Sequence, residues 1–174
     1  MADIWEPKQR YRWFQWAFIA GWVLAAAGLF GIFANGGLTD AQEPASTAAF
    51  NEHVSANLGD VRAANLADLV LFVPGYLLIG LGGAEWIRSL SGADGRVRRL
   101  AQVAFGLVAI AAVTDTIENV ILRVASGDLP AGDGTIDAMT AFGTVKYWSF
   151  VVGFVLLAGT AAWRWWRDRA SRAL

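Results

Sequence analysis

The most apolar part of the chain is an uncharged segment between Arg12 and Asp40. Within it, residues 13–34 suffice to cross a hydrocarbon core of about 30 Å as an α-helix, at about 1.5 Å per residue. Basic residues precede this run as in a signal peptide, but the run is longer than the apolar core of a cleaved signal. We therefore predict a retained first membrane span at 13–34.

Three further apolar segments follow, and each reaches spanning length only if it includes ionisable residues. They predict a second span at 66–87, a third at 100–124 and a fourth at 139–163. The uncharged run between Asp68 and Glu85 is too short to cross a bilayer alone, and so is the run between Arg99 and Asp115. Charged side chains at membrane depth are therefore the informative feature of these spans.

The segment between the first two spans, residues 35–65, is long for a connection in a helical bundle. Pro44 suits the first turn of a helix, and apolar residues recur after it at helical spacing. This apolar stripe consists of Phe50, Val54, Leu58 and Val61. We predict an amphipathic helix that lies flat across the outer mouth of the bundle. A solvated loop with transient helicity remains the alternative.

Small residues on the first two spans indicate close packing of their helices. Those on the first span are Ala17, Gly21 and Ala25, and those on the second are Gly80, Gly82 and Gly83. Pro74 removes one helical hydrogen bond and predicts a kink beside Gly75, which widens the bundle interior around Tyr76.

Basic residues concentrate on one side of the four predicted spans. They are Lys8, Arg10, Arg12, Arg88, Arg96, Arg98, Arg99, Arg164, Arg167, Arg169 and Arg172. The loops on the other side are acidic. Because short cytoplasmic segments retain Lys and Arg, this asymmetry predicts that both termini are cytoplasmic. The predicted fold of residues 1–174 is one all-α domain in a bacterial inner membrane, an antiparallel four-helix transmembrane bundle with an outer amphipathic helix.

Composition agrees with a membrane location and narrows the chemistry. Of the 174 residues 56% are hydrophobic and 17% charged, which is too apolar for an ordinary soluble domain. The absence of Cys and the single His, His53, exclude thiolate metal sites and sites that need two His from one chain. The net charge of −1 gives no basic excess for nucleic acid. We expect membrane lipids as partners and no cofactor, with a homo-oligomer or a larger membrane complex left open.

Ionisable residues from three spans are predicted to meet in one layer in the outer third of the membrane. In the third span, Asp115, Glu118 and Asn119 share one helical face. Lys146 of the fourth span lies at a matching depth, and Asp68 lies within the first turn of the second span. An isolated charge at this depth costs on the order of 3 kcal/mol, so these side chains should face one another rather than lipid.

The layer predicts a binding site for a ligand or a proton. Its proposed members are Asp68, Tyr76, Asp115, Glu118, Asn119 and Lys146. Lys146 is the natural counterion, and three carboxylates outnumber it. The structural alternative is a buried ion pair that only fixes the register of the helices. Whether a divalent metal binds these carboxylates, with His53 as a further ligand, is left open.

The cluster is compatible with three classes of function. The first is a non-enzymatic membrane protein that binds or passes a small ligand, proton or cation at its outer face. The second is a structural or accessory subunit. The third is an intramembrane enzyme acting on lipid phosphates, with Lys146 and Arg123 clamping the phosphate. No catalytic motif accompanies the cluster, so we favour a non-enzymatic protein.

The cluster residues also form a recognisable pattern along the chain. An Asp precedes a Phe-x-Pro-x-Tyr stretch, here Asp68, Phe72, Pro74 and Tyr76. Asp-x-x-Glu-Asn follows, here Asp115, Glu118 and Asn119, and then Lys146 early in the last span. Spans two to four thereby resemble a group of uncharacterised small bacterial membrane proteins with four spans. The resemblance implies that the cluster is the centre of that family and carries over no activity.

Overall fold

The structure is a computed structural model, and it describes residues 7–36, 38–90 and 94–170. Every regular element in these ranges is helical, which confirms the predicted all-α class. The elements are α1 (Pro7–Ala34), α2 (Thr39–Gln42), α3 (Thr47–Ala56), α4 (Leu58–Ala67), a π-helical turn (Asp68–Phe72), α5 (Val73–Leu90), α6 (Gly95–Ala125) and α7 (Asp133–Ala170). Arg172 and the side chains of Lys8, Arg10 and Arg12 lie outside the described residues.

Four helical segments are long and apolar enough to cross a membrane, which confirms the multi-pass bundle. They are Trp13–Ala34, Leu58–Leu90, Gly95–Ala125 and Asp133–Arg167. In the bundle α1 packs on α5, α5 packs on α6, and α6 packs on α7. Within the described ranges α1 and α7 hardly touch each other, although both flank α5. This arrangement leaves room between α1 and α7 for the pocket described below.

The predicted amphipathic helix between the first two spans is present in part, as α3. Its N-cap is Ser46, whose Oγ accepts a hydrogen bond from the Ala49 N–H at 3.1 Å. Phe50 and Val54 are fully buried in a cluster that also contains Leu122 of α6 and Met139 of α7. Phe50 and Val54 therefore cover one end of the bundle, as predicted. We call this end the α3 end. Two parts of the prediction are wrong, because Leu58 and Val61 of the stripe lie on α4 and Pro44 precedes α3 instead of occupying its first turn.

The second span begins earlier than predicted. Asn57 ends α3, and α4 begins at Leu58 and continues through the π-helical turn into α5. Asp68 therefore lies ten residues inside a helix, so the prediction that it occupies the first turn is wrong. The hydropathy of the sequence does not indicate this early start, because the first turns of α4 carry two charged and exposed residues, Asp60 and Arg62.

Pro74 follows a π-helical turn. In this turn the Val73 N–H donates to the Asp68 carbonyl, five residues back. Pro74 has no N–H to donate, and in a regular α-helix its ring would collide with the carbonyl of Val70, four residues back. The wider π turn relieves the collision by accommodating one additional residue. It also places Asp68 and Phe72 beside the interior of the bundle.

Glycines allow α1 and α5 to approach to backbone contact. A Cβ atom on Gly21 would lie 2.7 Å from the Gly75 carbonyl oxygen, and one on Gly75 would overlap the backbone of Ala25. A Cβ atom on Gly82 would lie 2.9 Å from the backbone nitrogen of Phe18. The predicted packing role of Gly21 and Gly82 is therefore confirmed.

We expect Gly75→Ala to destabilise the bundle by about 1–3 kcal/mol, because the added methyl group forces α5 away from α1. The measurement is the free energy of unfolding of the purified protein in detergent. Gly106→Ala is the matched control, since nothing lies within 4 Å of a Cβ atom built there. It should leave stability unchanged or raise it, because Ala is the better helix former. Equal effects of the two substitutions would contradict the close contact.

At the end of the bundle opposite α3, Asp94 joins α6 to α7. Its carboxylate caps α6 by accepting hydrogen bonds from the N–H groups of Arg96 and Val97 at 3.1 and 3.2 Å. Arg167 of α7 also donates to it, at 2.6 Å. The hydrogen bond from Val97, followed by that from Arg167, lowers the pKa of Asp94 below its usual range. This contact joins the start of α6 to the end of α7.

Candidate functional site

The structure connects all six predicted site residues into one network near the α3 end. They are Asp68 from the π-helical turn, Tyr76 from α5, Asp115, Glu118 and Asn119 from α6, and Lys146 from α7. The three residues of α6 share a face because they are spaced at i, i+3 and i+4. Five of the six are at most 4% exposed, and the Lys146 side chain is 22% exposed. The network is therefore built almost entirely from buried polar groups.

Asn119 is the centre of the network. Its amide nitrogen donates to Asp68 Oδ2 and to Asp115 Oδ1, both at 3.0 Å. Its amide oxygen accepts from Asn65 Nδ2 at 2.7 Å and from Gln42 Nε2 at 3.4 Å. Both N–H donors and both acceptor positions of the amide are thus used. Asn119 holds two carboxylates on one side and two amides on the other.

Lys146 connects α7 to two carboxylates of α6. Its Nζ lies 2.7 Å from Glu118 Oε2 and donates to Asp115 Oδ1 at 3.4 Å. Tyr76 supplies a further hydrogen bond, from its hydroxyl to Asp115 Oδ2 at 3.1 Å. Glu118 lies close to Gly143, where a Cβ atom would be 3.5 Å from Glu118 Oε1. The Lys146 ammonium group is therefore the counterion of both Asp115 and Glu118.

Asp68 differs from the other two carboxylates of the network. It is 4% exposed, and its Oδ1 atom has no hydrogen-bond donor among the residues that the structure describes. The amide of Gln42 interacts with the Asp68 carboxylate and also donates to Asn119 Oδ1 at 3.4 Å. No Lys or Arg of the described ranges forms an ion pair with Asp68. A buried acceptor of this kind is costly to leave without a donor.

A pocket of about 290 Å³ adjoins Asp68. Its polar lining consists of Gln42, Glu43, Asp68, Asp115 and Lys146. Its apolar and aromatic lining includes Ile32, Phe33, Leu38, Phe72, Tyr76 and Phe150. It lies between α1 and α7, with residues of α2 and the loop after it at the α3 end. At about 30 Å³ per molecule it could hold about ten waters, so it exceeds the size of a bare ion.

Two members of the network were not predicted from the sequence. Asn65 is 1% exposed and donates to both the carbonyl and the amide oxygen of Asn119. It lies three residues before Asp68, a spacing that places both on one helical face and could have identified it. Gln42 comes from the short helix α2, and no periodicity in the sequence indicates its position.

Two residues named in the alternative hypotheses lie outside the network. Arg123 is exposed on α6, and His53 is half-buried near the end of α3. Among the described residues no group of three His, Cys, Asp or Glu side chains is arranged to hold a metal ion. The set of His53, Asp68, Asp115 and Glu118 is therefore not assembled as a metal site.

Comparison with protein-family models, curated proteins and solved structures finds no match to this chain. The resemblance to small bacterial four-span proteins stays a prediction from the motif. The function must consequently be inferred from the chemistry of the network and its pocket.

Proposed function

We propose that the chain is a non-enzymatic protein of a bacterial inner membrane that binds a small cation or a proton in the pocket beside Asp68. Both termini lie in the cytoplasm in this proposal, so the α3 end and the pocket face outward. Orientation rests on the concentration of Arg and Lys at the opposite end of the bundle. The observation that carries the function is that Asp68 lines the pocket while its buried Oδ1 atom has no hydrogen-bond donor among the described residues.

The charge balance of the network supports this proposal. Three carboxylates face one ammonium group, and Lys146 pairs with Asp115 and Glu118 but not with Asp68. Uncompensated negative charge inside a membrane is expensive, on the order of 3 kcal/mol for one residue. A proton that binds Asp68, or a cation that enters the pocket, would reduce this charge.

A purely structural role is the second candidate, and one observation favours it. Lys146 joins α7 to α6, and Asn119 joins α6 to the π-helical turn and to α4. Such contacts can fix the relative register of helices without binding anything. The two candidates differ at Asp68, because a structural role needs no ligand at its free oxygen.

The hypothesis of an enzyme acting on lipid phosphates receives less support from the geometry. It assigned the phosphate to Lys146 and Arg123. The Lys146 ammonium is already engaged by two carboxylates, at 2.7 and 3.4 Å. Arg123 is exposed on α6 and contributes nothing to the pocket lining. A cation site fits the acidic pocket better than an anion site does.

The proposal is tested by comparing the wild type with Asp68→Asn during thermal unfolding in lipid nanodiscs. A ligand that binds the folded state raises its stability with concentration. We expect sodium, potassium or methylammonium chloride, or a lower pH, to raise the Tm of the wild type by several degrees. The rise should be absent in Asp68→Asn, which keeps an acceptor for Asn119 but has no charge.

The wild type and Asp68→Asn are compared at equal salt concentration, so that general effects of ionic strength on the Tm are the same for both. Asp60→Asn, which neutralises an exposed Asp on α4, is the matched control and should respond like the wild type. If the wild type and Asp68→Asn respond equally to every cation and to pH, the pocket is not a cation site. The structural role would then be the better account.

A further inference from the structure

We infer that the ligand of this pocket is a small primary ammonium compound with an apolar or aromatic body, rather than an inorganic ion. This inference rests on the proposed function, since it names the class of cation that the same pocket takes. The Asp68 carboxylate, which lines the pocket, would accept a hydrogen bond from the ammonium group, and the aromatic side chains of the lining would contact the rest of the molecule.

The hydrogen-bonding state of the pocket requires a ligand that donates. Asp68 Oδ1 needs a donor, whereas the Lys146 ammonium already lies within 3.4 Å of two carboxylates. Asp115 is also satisfied, because its two oxygens accept from Asn119, Lys146 and Tyr76. Among the residues that line the pocket, the unmet demand is thus for N–H groups at Asp68, and a primary ammonium offers three of them.

The aromatic lining of the pocket favours an organic cation over a hydrated metal ion. Phe72, Tyr76 and Phe150 line the pocket and contact one another edge to face, with ring centroids 5.3 Å apart for Phe72 and Tyr76 and 5.2 Å for Tyr76 and Phe150. Aromatic faces attract organic cations and also pack against apolar groups. An inorganic ion that shed its water here would gain few oxygen ligands from these rings.

Size and access agree with the same class of ligand. The volume of about 290 Å³ is near the lower end for sites that bind small molecules. Phe33 of α1 and Tyr147 of α7 line the pocket on its two sides and are 73% and 58% exposed. Both face the surroundings of the bundle, so an amphiphilic amine has a route from the membrane interface between these two helices.

The test is isothermal titration calorimetry of the wild type in nanodiscs with three related probes, using empty nanodiscs to subtract partitioning into lipid. The probes are benzylammonium, benzyltrimethylammonium and benzyl alcohol. We expect benzylammonium to bind most tightly. Benzyltrimethylammonium has the charge without N–H donors, and benzyl alcohol has a donor without charge, so each should bind at least about tenfold more weakly.

Two substitutions locate the binding. Asp68→Asn should weaken benzylammonium binding by at least about tenfold. Phe150→Leu should weaken it by about threefold to tenfold through the loss of an aromatic wall. Phe154→Leu is the control for the second change, because Phe154 contacts the ring of Phe150, with centroids 4.7 Å apart, and does not line the pocket. It should leave the affinity unchanged.

The outcomes separate this inference from the function on which it rests. If sodium, potassium or protons act through Asp68 while benzylammonium does not bind, the inference is wrong and the cation site stands. Equal affinity for benzylammonium and benzyl alcohol would also overturn the inference, since charge would then play no part. If no cation of any kind distinguishes the wild type from Asp68→Asn, both proposals fail. The probe series on the wild type decides the matter even if a variant does not fold.

Discussion

Replacing Asn119 with Leu is expected to lower the free energy of unfolding by about 3–5 kcal/mol. Leu has the same branched shape and is somewhat larger, so the loss would come from hydrogen bonds and crowding rather than from a cavity. Asp68 and Asp115 would each lose a donor at 3.0 Å, and Asn65 would lose the amide oxygen to which it donates at 2.7 Å. A buried group left without its partner costs about 1–3 kcal/mol, and charged groups cost more.

The measurement is denaturant unfolding of the purified protein in mixed micelles. Thr116→Val is the matched control on the same helix, because the Thr116 hydroxyl bonds only its own helix, at the Ala112 carbonyl. It should change the free energy of unfolding by less than about 0.5 kcal/mol. Losses of equal size for the two variants would mean that Asn119 is not the centre of the network.

Substituting Lys146 with Met is expected to cost a similar amount at neutral pH, about 3–5 kcal/mol. Met fills much of the same space but leaves Asp115 and Glu118 without their counterion. The loss should shrink as the pH falls, because protonation of the carboxylates removes the charge that Lys146 balances. The measurement is the difference in unfolding free energy between wild type and variant from pH 8 to pH 5.

A second substitution identifies the cause of this loss. In the double variant Lys146→Met/Glu118→Gln one of the unbalanced charges is gone, so part of the lost stability should return. Tyr147→Phe is the control at the neighbouring position, where the side chain is 58% exposed, and it should be close to neutral. A Lys146→Met loss that is constant over the whole pH range would contradict the ion pairing.

The sequence predicted the fold and the centre of the network for the same physical reason. Charges are rare and costly in membrane spans, so Asp115, Glu118 and Lys146 stood out against apolar neighbours and had to meet. Helical spacing then brought Asn119 to the same face. The binding role of these residues stays a prediction, because their proximity alone is equally compatible with a structural contact.

The parts of the network that lie beyond the apolar runs were not predictable in this way. Gln42 lies in the segment predicted to connect the first two spans, where polar residues are common and carry no signal. Asn65 falls in the same predicted segment, and only its spacing of three residues from Asp68 could have indicated it. The π-helical turn was also missed. Pro74 indicates that regular hydrogen bonding must fail nearby, but it does not indicate whether the chain bends or takes in an additional residue.

The π-helical turn also determines the rotational phase of the second span. Each residue of an α-helix advances the chain by about 100° around the axis. The π-helical turn takes in one additional residue without that advance, because the Val73 N–H meets the Asp68 carbonyl as residue i+4 would in an α-helix. If the same residues formed a regular α-helix, Asp68 would be rotated by about 100° relative to Tyr76 and would lie on a different side of the helix. The shape of this turn is as much a part of the site as the identity of its residues.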